Sequence, residues 1–213
     1  MNINRDNLLL YAVTDHKFAS NQEDFLHQIE DALEGGVTLI QLREKSIEKV
    51  DFINEAILIK KICQKYNVPL IINDNFDVAL KSGADGVHLG ADDEPVSEIR
   101  KKAPSDFIIG ATCKTVEQAQ LAEKDGADYI GIGAIFLSTT KQNAVRVTME
   151  ELKKIASSVS IPSVAIGGIC ISNIFKLRNS GISGIAVISA IFGNENIRDS
   201  ARDLKKLARE MFS

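Results

Sequence analysis

What most limits the folds open to this chain is a regular alternation of two kinds of segment. Short apolar runs lie at 8–13, 37–42, 69–72, 86–89, 107–110, 129–135, 163–166 and 184–188. Several are apolar without interruption, as parallel strands covered on both faces are. Between them lie amphipathic stretches. Phe25, Ile29 and Leu33 fall on one face of a helix over 21–34. Val50, Ile53, Ile57 and Cys63 continue the pattern over 47–66, and further helices are predicted over 116–125, 149–158 and 196–212. The count is eight strands and about eight helices in alternation, which implies a parallel sheet with right-handed crossovers. An open doubly wound sheet and a closed barrel both satisfy that order.

A weak internal repeat separates them. Gly35-Gly36-Val37, Gly83-Ala84-Asp85-Gly86-Val87, Gly126-Ala127-Asp128-Tyr129-Ile130 and Gly181-Ile182-Ser183-Gly184-Ile185 look alike. Each follows a predicted helix and precedes a strand, where glycine suits the left-handed residue that ends a helix. Gly36, Gly83, Gly126 and Gly181 are spaced by 47, 43 and 55 residues, about two strand–helix units each. Four-fold recurrence of a paired unit favours the α/β class of a closed, parallel, eight-stranded (β/α)8 TIM barrel. The 213 residues are near the lower size limit for that fold. No linker-like stretch divides the chain, so 1–213 is expected to be one domain.

Composition narrows the partners. The formal charge of −4 argues against a general nucleic-acid binder. No apolar stretch reaches the ~18–20 residues a membrane span needs, and the first residues lack a signal-peptide layout. Cys63, Cys113 and Cys170 are far apart and form no Cys-x-x-Cys pair. That favours a reduced, cytoplasmic setting over a disulfide framework or a cysteine zinc site.

Barrels place their chemistry at the C-terminal strand ends. Polar residues gather there: Thr14 and Asp15 after run 1, Asn73 and Asp74 after run 3, Thr112 after run 5, Ser138, Thr139, Thr140 and Lys141 after run 6. Gln41, Arg43 and Lys45 alternate at the end of run 2, so they would face one side. An isolated Arg-x-Lys is most often a solvated loop. After a buried strand, with Lys141 opposite, the fork and the point charges suit a diphosphate. Asp74 and Asp93 end neighbouring runs 3 and 4, and two carboxylates beside a diphosphate suit Mg²⁺; a cap and a surface carboxylate would look the same, and Asp92 is an alternative to Asp93. Gly167-Gly168 and Ile188-Ser189-Ala190 follow runs 7 and 8, where barrels bind phosphate through backbone N–H groups. His88 reads as a packed residue rather than a catalyst. Two anion sites, a metal site and no evident nucleophile imply electrostatic chemistry on phosphorylated small molecules.

These residues carry a resemblance. Gly35 through Lys45, Ile72-Asn73-Asp74, Gly83 through Gly90, Gly126 through Gly131, Ser138 through Lys141 and Ala165 through Ile169 closely resemble thiamine phosphate synthases, in order and over nearly the whole chain. The resemblance implies a transferase of thiamine biosynthesis on a (β/α)8 barrel. It would join an aminopyrimidine-methyl diphosphate to a thiazole phosphate, or its carboxylated tautomer, and release diphosphate, with CO₂ where the carboxylate is present. By resemblance, Gln41, Leu42, Arg43, Glu44, Lys45, Asn73, Thr112 and Lys141 would bind the pyrimidine diphosphate. Asp74 and Asp93 would hold Mg²⁺. Ser138, Thr139, Thr140, Gly168, Ile188 and Ser189 would bind the thiazole phosphate. Arg43, Lys45 and Lys141 would neutralise the leaving group. The partners implied are small molecules, without nucleic acid or membrane; homo-oligomerisation stays open. The chain departs from the family's usual residues at Ala134, at Leu137-Ser138 and at Thr112-Cys113-Lys114. A thiazole tautomerase and a non-catalytic phosphometabolite-binding barrel are the competing readings. The run from Gln41 to Lys45 and the second metal carboxylate argue against the tautomerase.

Overall fold

The computed structural model describes residues 3–45, 47–136 and 146–212. Eight strands close into a parallel barrel in sequence order: β1 (Leu10–Val13), β2 (Leu39–Leu42), β3 (Leu70–Asn73), β4 (Gly86–Leu89), β5 (Ile108–Cys113), β6 (Tyr129–Gly133), β7 (Ser163–Ile166) and β8 (Gly184–Val187). β8 pairs with β1, with Tyr11 opposite Ala186, and leaves no free edge. The closed alternative of the two sheet architectures is therefore the one observed.

The helices are α1 (Arg5–Leu8), α2 (Gln22–Glu34), α3 (Lys49–Lys65), α4 (Phe76–Ser82), α5 (Val96–Lys102), α6 (Val116–Lys124), α7 (Met149–Ser157), α8 (Ser189–Phe192) and α9 (Ile197–Phe212). Side-chain caps set several starts. Asn21, Asn75 and Thr115 each accept a bond from the third helical N–H, and Thr148 forms a reciprocal capping box with Glu151. The alternation breaks in one place. Between β7 and β8 the chain makes only a 3₁₀ turn, Ile174–Leu177. Asn173 ties that connection together, accepting from Cys170 N and donating to Gly168 O.

Side chains alternate across the strands, and this divides the core in two. Leu10, Ala12, Ile40, Leu42, Leu70 and Ile72 point outward to the helices, in one cluster with Phe25, Ile29, Ile59 and Leu204. Tyr11, Val13, Leu39, Ile71, Ile108, Tyr129, Val164 and Ala186 point inward and fill the barrel. Cys63 and Cys113 belong to the outer layer, and burial pushes both thiols up to about 12.

The internal repeat has a structural meaning. Gly36, Gly83, Gly126 and Gly181 all have φ between 70° and 98°, the left-handed region open to glycine. Two residues on, Thr38, Asp85, Asp128 and Ser183 donate their N–H to Leu10, Leu70, Ile109 and Ser163 carbonyls on the preceding strand. Three accept a second bond through the side chain: Thr38 from Leu10 N, Asp85 from Leu70 N and Asp128 from Ile109 N. Each repeat thus sets the register of one even strand against its odd neighbour, at the end of the barrel opposite the mouth.

Candidate active site

The inward alternation that fills the barrel bottom lines a cavity of about 420 Å³ at its mouth. Successive inward positions supply the wall: Tyr11 and Val13, Gln41 and Arg43, Asn73, His88, Thr112 and Lys114, Gly131 and Gly133, Val164 and Ile166, Ala186 and Ile188. Gly167 and Ala134 complete it. Polar groups occupy the β2–β5 side, and aliphatic side chains dominate the β7–β8 side.

A chain of hydrogen bonds spans the cavity floor. Gln41 Nε2 donates to the Tyr11 hydroxyl. Tyr11 and Tyr129 hydroxyls lie 2.9 Å apart, Tyr129 bonds His88 Nδ1 at 2.9 Å, and His88 Nε2 bonds Thr112 Oγ1 at 2.9 Å. Five strands are linked by it. Burial raises both phenols above their ordinary range, so both stay protonated. Gly110 makes room for this arrangement, because a Cβ there would meet Tyr129 Cζ at 2.2 Å.

Gln41, Arg43, Asn73, Thr112 and Ile188 come together around this cavity. Thr14, wholly buried, accepts from Arg43 N at 3.1 Å and so fixes the tip of β2. Thr112 lies inside β5 rather than after it, because the strand runs on to Cys113. Lys45 is exposed just past β2. Leu42 and Glu44 are not brought in. Leu42 packs outward against the helices. Glu44 turns to His16 and Glu55, since odd and even positions of one strand end face opposite ways. Its carboxyl is pushed up to about 7, by burial first and by the Glu55 carboxylate second. Gly168 has φ 63° and adjoins the cavity-lining Gly167, while Ser189 is exposed and begins α8. Ser138, Thr139, Thr140 and Lys141 lie outside the described residues.

Asp74 sits at the rim with φ 62°, its N–H bonded to the His88 carbonyl at 2.8 Å. Its carboxyl is pushed up to about 6, by lost solvation first and then by contact with the Asp93 carboxyl. Asp93 is itself held by Gly90 N, which donates to Oδ2 at 2.6 Å. Two carboxylates held in mutual contact repel unless a proton or a cation lies between them. That pair, with oxygen donors only, fits Mg²⁺. Asp92 is exposed.

Sequence reasoning missed the depth of the site. His88 is packed, as expected, yet it also lines the cavity. Lys114 lies two residues beyond Thr112 on the same inward face. The period-two pattern of β4 and β5 was the signal for both. Nothing local marked Tyr11 and Tyr129, which meet across 118 positions of sequence.

Comparison with known proteins identifies the family. Residues 10–191 match the family model described as thiamine monophosphate synthase. The chain is 50% identical over 198 residues to a thiamine-phosphate synthase of Ruminiclostridium cellulolyticum, covering 93% of this chain and 94% of that protein. It is 45% identical over 204 residues to one of Methanobrevibacter smithii, covering 96% and 97%. The structure superimposes on a thiamine phosphate pyrophosphorylase from Pyrococcus furiosus with a TM-score of 0.90 at 37% identity, over 98% of this chain and 99% of that one. On this evidence the chain belongs to the thiamine monophosphate synthase family.

Proposed function

We propose that the barrel mouth joins an aminopyrimidine-methyl diphosphate to a thiazole phosphate, giving thiamine phosphate and diphosphate. The convergence of Gln41, Arg43, Asn73 and Thr112 on one cavity, beside the Asp74–Asp93 pair, carries this reading. The names of the relatives support it.

The residues suit a reaction in which the diphosphate leaves before the new bond forms. The C–O bond to the diphosphate breaks, and its electron pair leaves with the diphosphate oxygen. The pyrimidine amino group donates electrons to the methylene carbon, and the thiazole nitrogen then attacks that carbon. No protein nucleophile is needed. Arg43 presents a planar fork to the leaving phosphates, and Lys45 and Lys114 lie close enough in sequence to strand tips β2 and β5 to add charge. Asp74 and Asp93 would hold Mg²⁺, which when bound neutralises charge developing on the diphosphate. Val13, Val164, Ile166 and Ala186 supply apolar wall that keeps water from the cation. The hydroxyl–imidazole chain from Gln41 to Thr112 fixes the polar face before substrate arrives. Gly168, Ile188 and Ser189 are suited to the thiazole phosphate.

The test is direct. The purified chain, given both substrates and Mg²⁺, is expected to form thiamine phosphate and diphosphate in equal amounts. Absence of product, or release of diphosphate without coupling, contradicts the reading.

A further inference from the structure

Behind the tip of β2, on the side away from the cavity, three metal-ligating side chains converge from three segments. His16 comes from the turn after β1, Glu44 from the end of β2 and Glu55 from the second turn of α3. One ligand atom from each lies within 4.8 Å of the others. His16 Nε2 is 2.9 Å from Glu55 Oε1 and 3.3 Å from Glu44 Oε1. The Glu44 and Glu55 side chains are 9% and 4% exposed, so both are more than nine-tenths buried. Glu44 Oε1, aimed at the imidazole, and Glu55 Oε2 have no hydrogen-bond partner among the described residues. Phe25 stacks on the imidazole at 3.7 Å between ring centres and fixes its plane.

We propose that His16, Glu44 and Glu55 form a second divalent-cation site, specific for a borderline transition ion of the Zn²⁺ type and separate from the Asp74–Asp93 pair. Two buried carboxylates share one imidazole, which leaves negative charge without enough counter-charge. A tetrahedral Zn²⁺ with ligands at about 2.0–2.1 Å places them about 3.3 Å apart. The 3.3 Å separation of His16 from Glu44 matches that edge; the 2.9 Å His16–Glu55 contact is a hydrogen bond that an ion would replace, with the pair parting by a few tenths of an ångström. The nitrogen donor selects against Mg²⁺, which prefers an octahedron of oxygens. The His16 side chain is 35% exposed, so water can reach a fourth position and an ion can enter. An ion here would fasten the β1 turn, the β2 tip and α3 together, behind Arg43. Its role is structural, and its binding does not depend on the reaction assigned to the cavity.

Equilibrium dialysis of the full chain against Zn²⁺, with Mg²⁺ in large excess to fill the other pair, tests this. One Zn²⁺ per chain is expected. His16→Ala and Glu55→Gln should each weaken binding at least about tenfold, while Asp93→Asn leaves it unchanged. Co²⁺ in place of Zn²⁺ should give the visible absorption of a four-coordinate ion, lost in both variants. Circular dichroism checks folding; if Glu55→Gln does not fold, His16→Ala, at a partly exposed position, decides. No Zn²⁺ retained by the native chain, or equal retention in His16→Ala, overturns the proposal. So does a His16 ring that titrates freely by NMR with Zn²⁺ present, since the proton then does the bridging.

Discussion

At the scale of single residues, one strand end divides its labour by parity. Arg43 faces the cavity and Glu44 faces the outer layer, so neighbours in sequence serve opposite sides of the sheet. Arg43→Ala should lower kcat by roughly 10²–10³, the usual cost of removing one pre-positioned group from a developing charge. Arg43→Lys should recover only part of it, because an ammonium lacks the fork. Steady-state rates with both substrates check this; a native rate in Arg43→Ala removes the residue from the chemistry. The Asp74–Asp93 contact makes a pH prediction. Asp74 holds its proton up to about 6, so acidification through that value protonates a carboxylate that Mg²⁺ needs. The Mg²⁺ concentration for half-activation should therefore rise as pH falls from about 7.5 to about 5.5. In Asp93→Asn the repelling charge is gone, and the acid limb should move to lower pH. Magnesium titrations of rate at several pH values decide it; a limb that stays in place assigns the shift to another group.

At the scale of elements, the glycine repeat was legible because it is local: a left-handed helix end, then a residue that bonds the neighbouring strand. Asp85 shows what this contributes. It accepts from Leu70 N at 2.7 Å and pairs with Lys60 at 2.5 Å, both partly buried. Asp85→Ala leaves the N–H and the ammonium without that partner and should cost about 1–3 kcal/mol. The urea midpoint should fall with an unchanged slope, while kcat of the folded chain holds. A lower kcat at native stability would mean that the barrel bottom governs the mouth. Strand order and existence were readable from apolar runs, but ends were less so. The fifth run stops at 110 on apolarity, whereas β5 continues through Thr112 because that residue points inward to a polar cavity. The repeat predicts a helix before Gly181; Asn173, accepting from Cys170 N and donating to Gly168 O, holds a 3₁₀ turn there instead.

At the scale of the whole molecule, closure turns eight separate strand tips into one chamber. The rim was foreseeable once the barrel was chosen, since Gln41, Arg43, Asn73 and Thr112 follow from where strands end. The hydroxyl–imidazole chain was not, because its members belong to different strands and only closure makes them neighbours. The His16–Glu44–Glu55 cluster stayed hidden because its members come from a turn, a strand end and a helix, which share no periodicity along the sequence. Among the described residues no helix is long and apolar enough to cross a membrane. The most direct test is a crystal structure with the pyrimidine diphosphate and Mg²⁺ bound. The predicted result is the diphosphate against Arg43 and Asn73, with the ion between Asp74 and Asp93. Diphosphate seated away from the β2–β4 tips, or an ion held by neither carboxylate, would contradict the assignment.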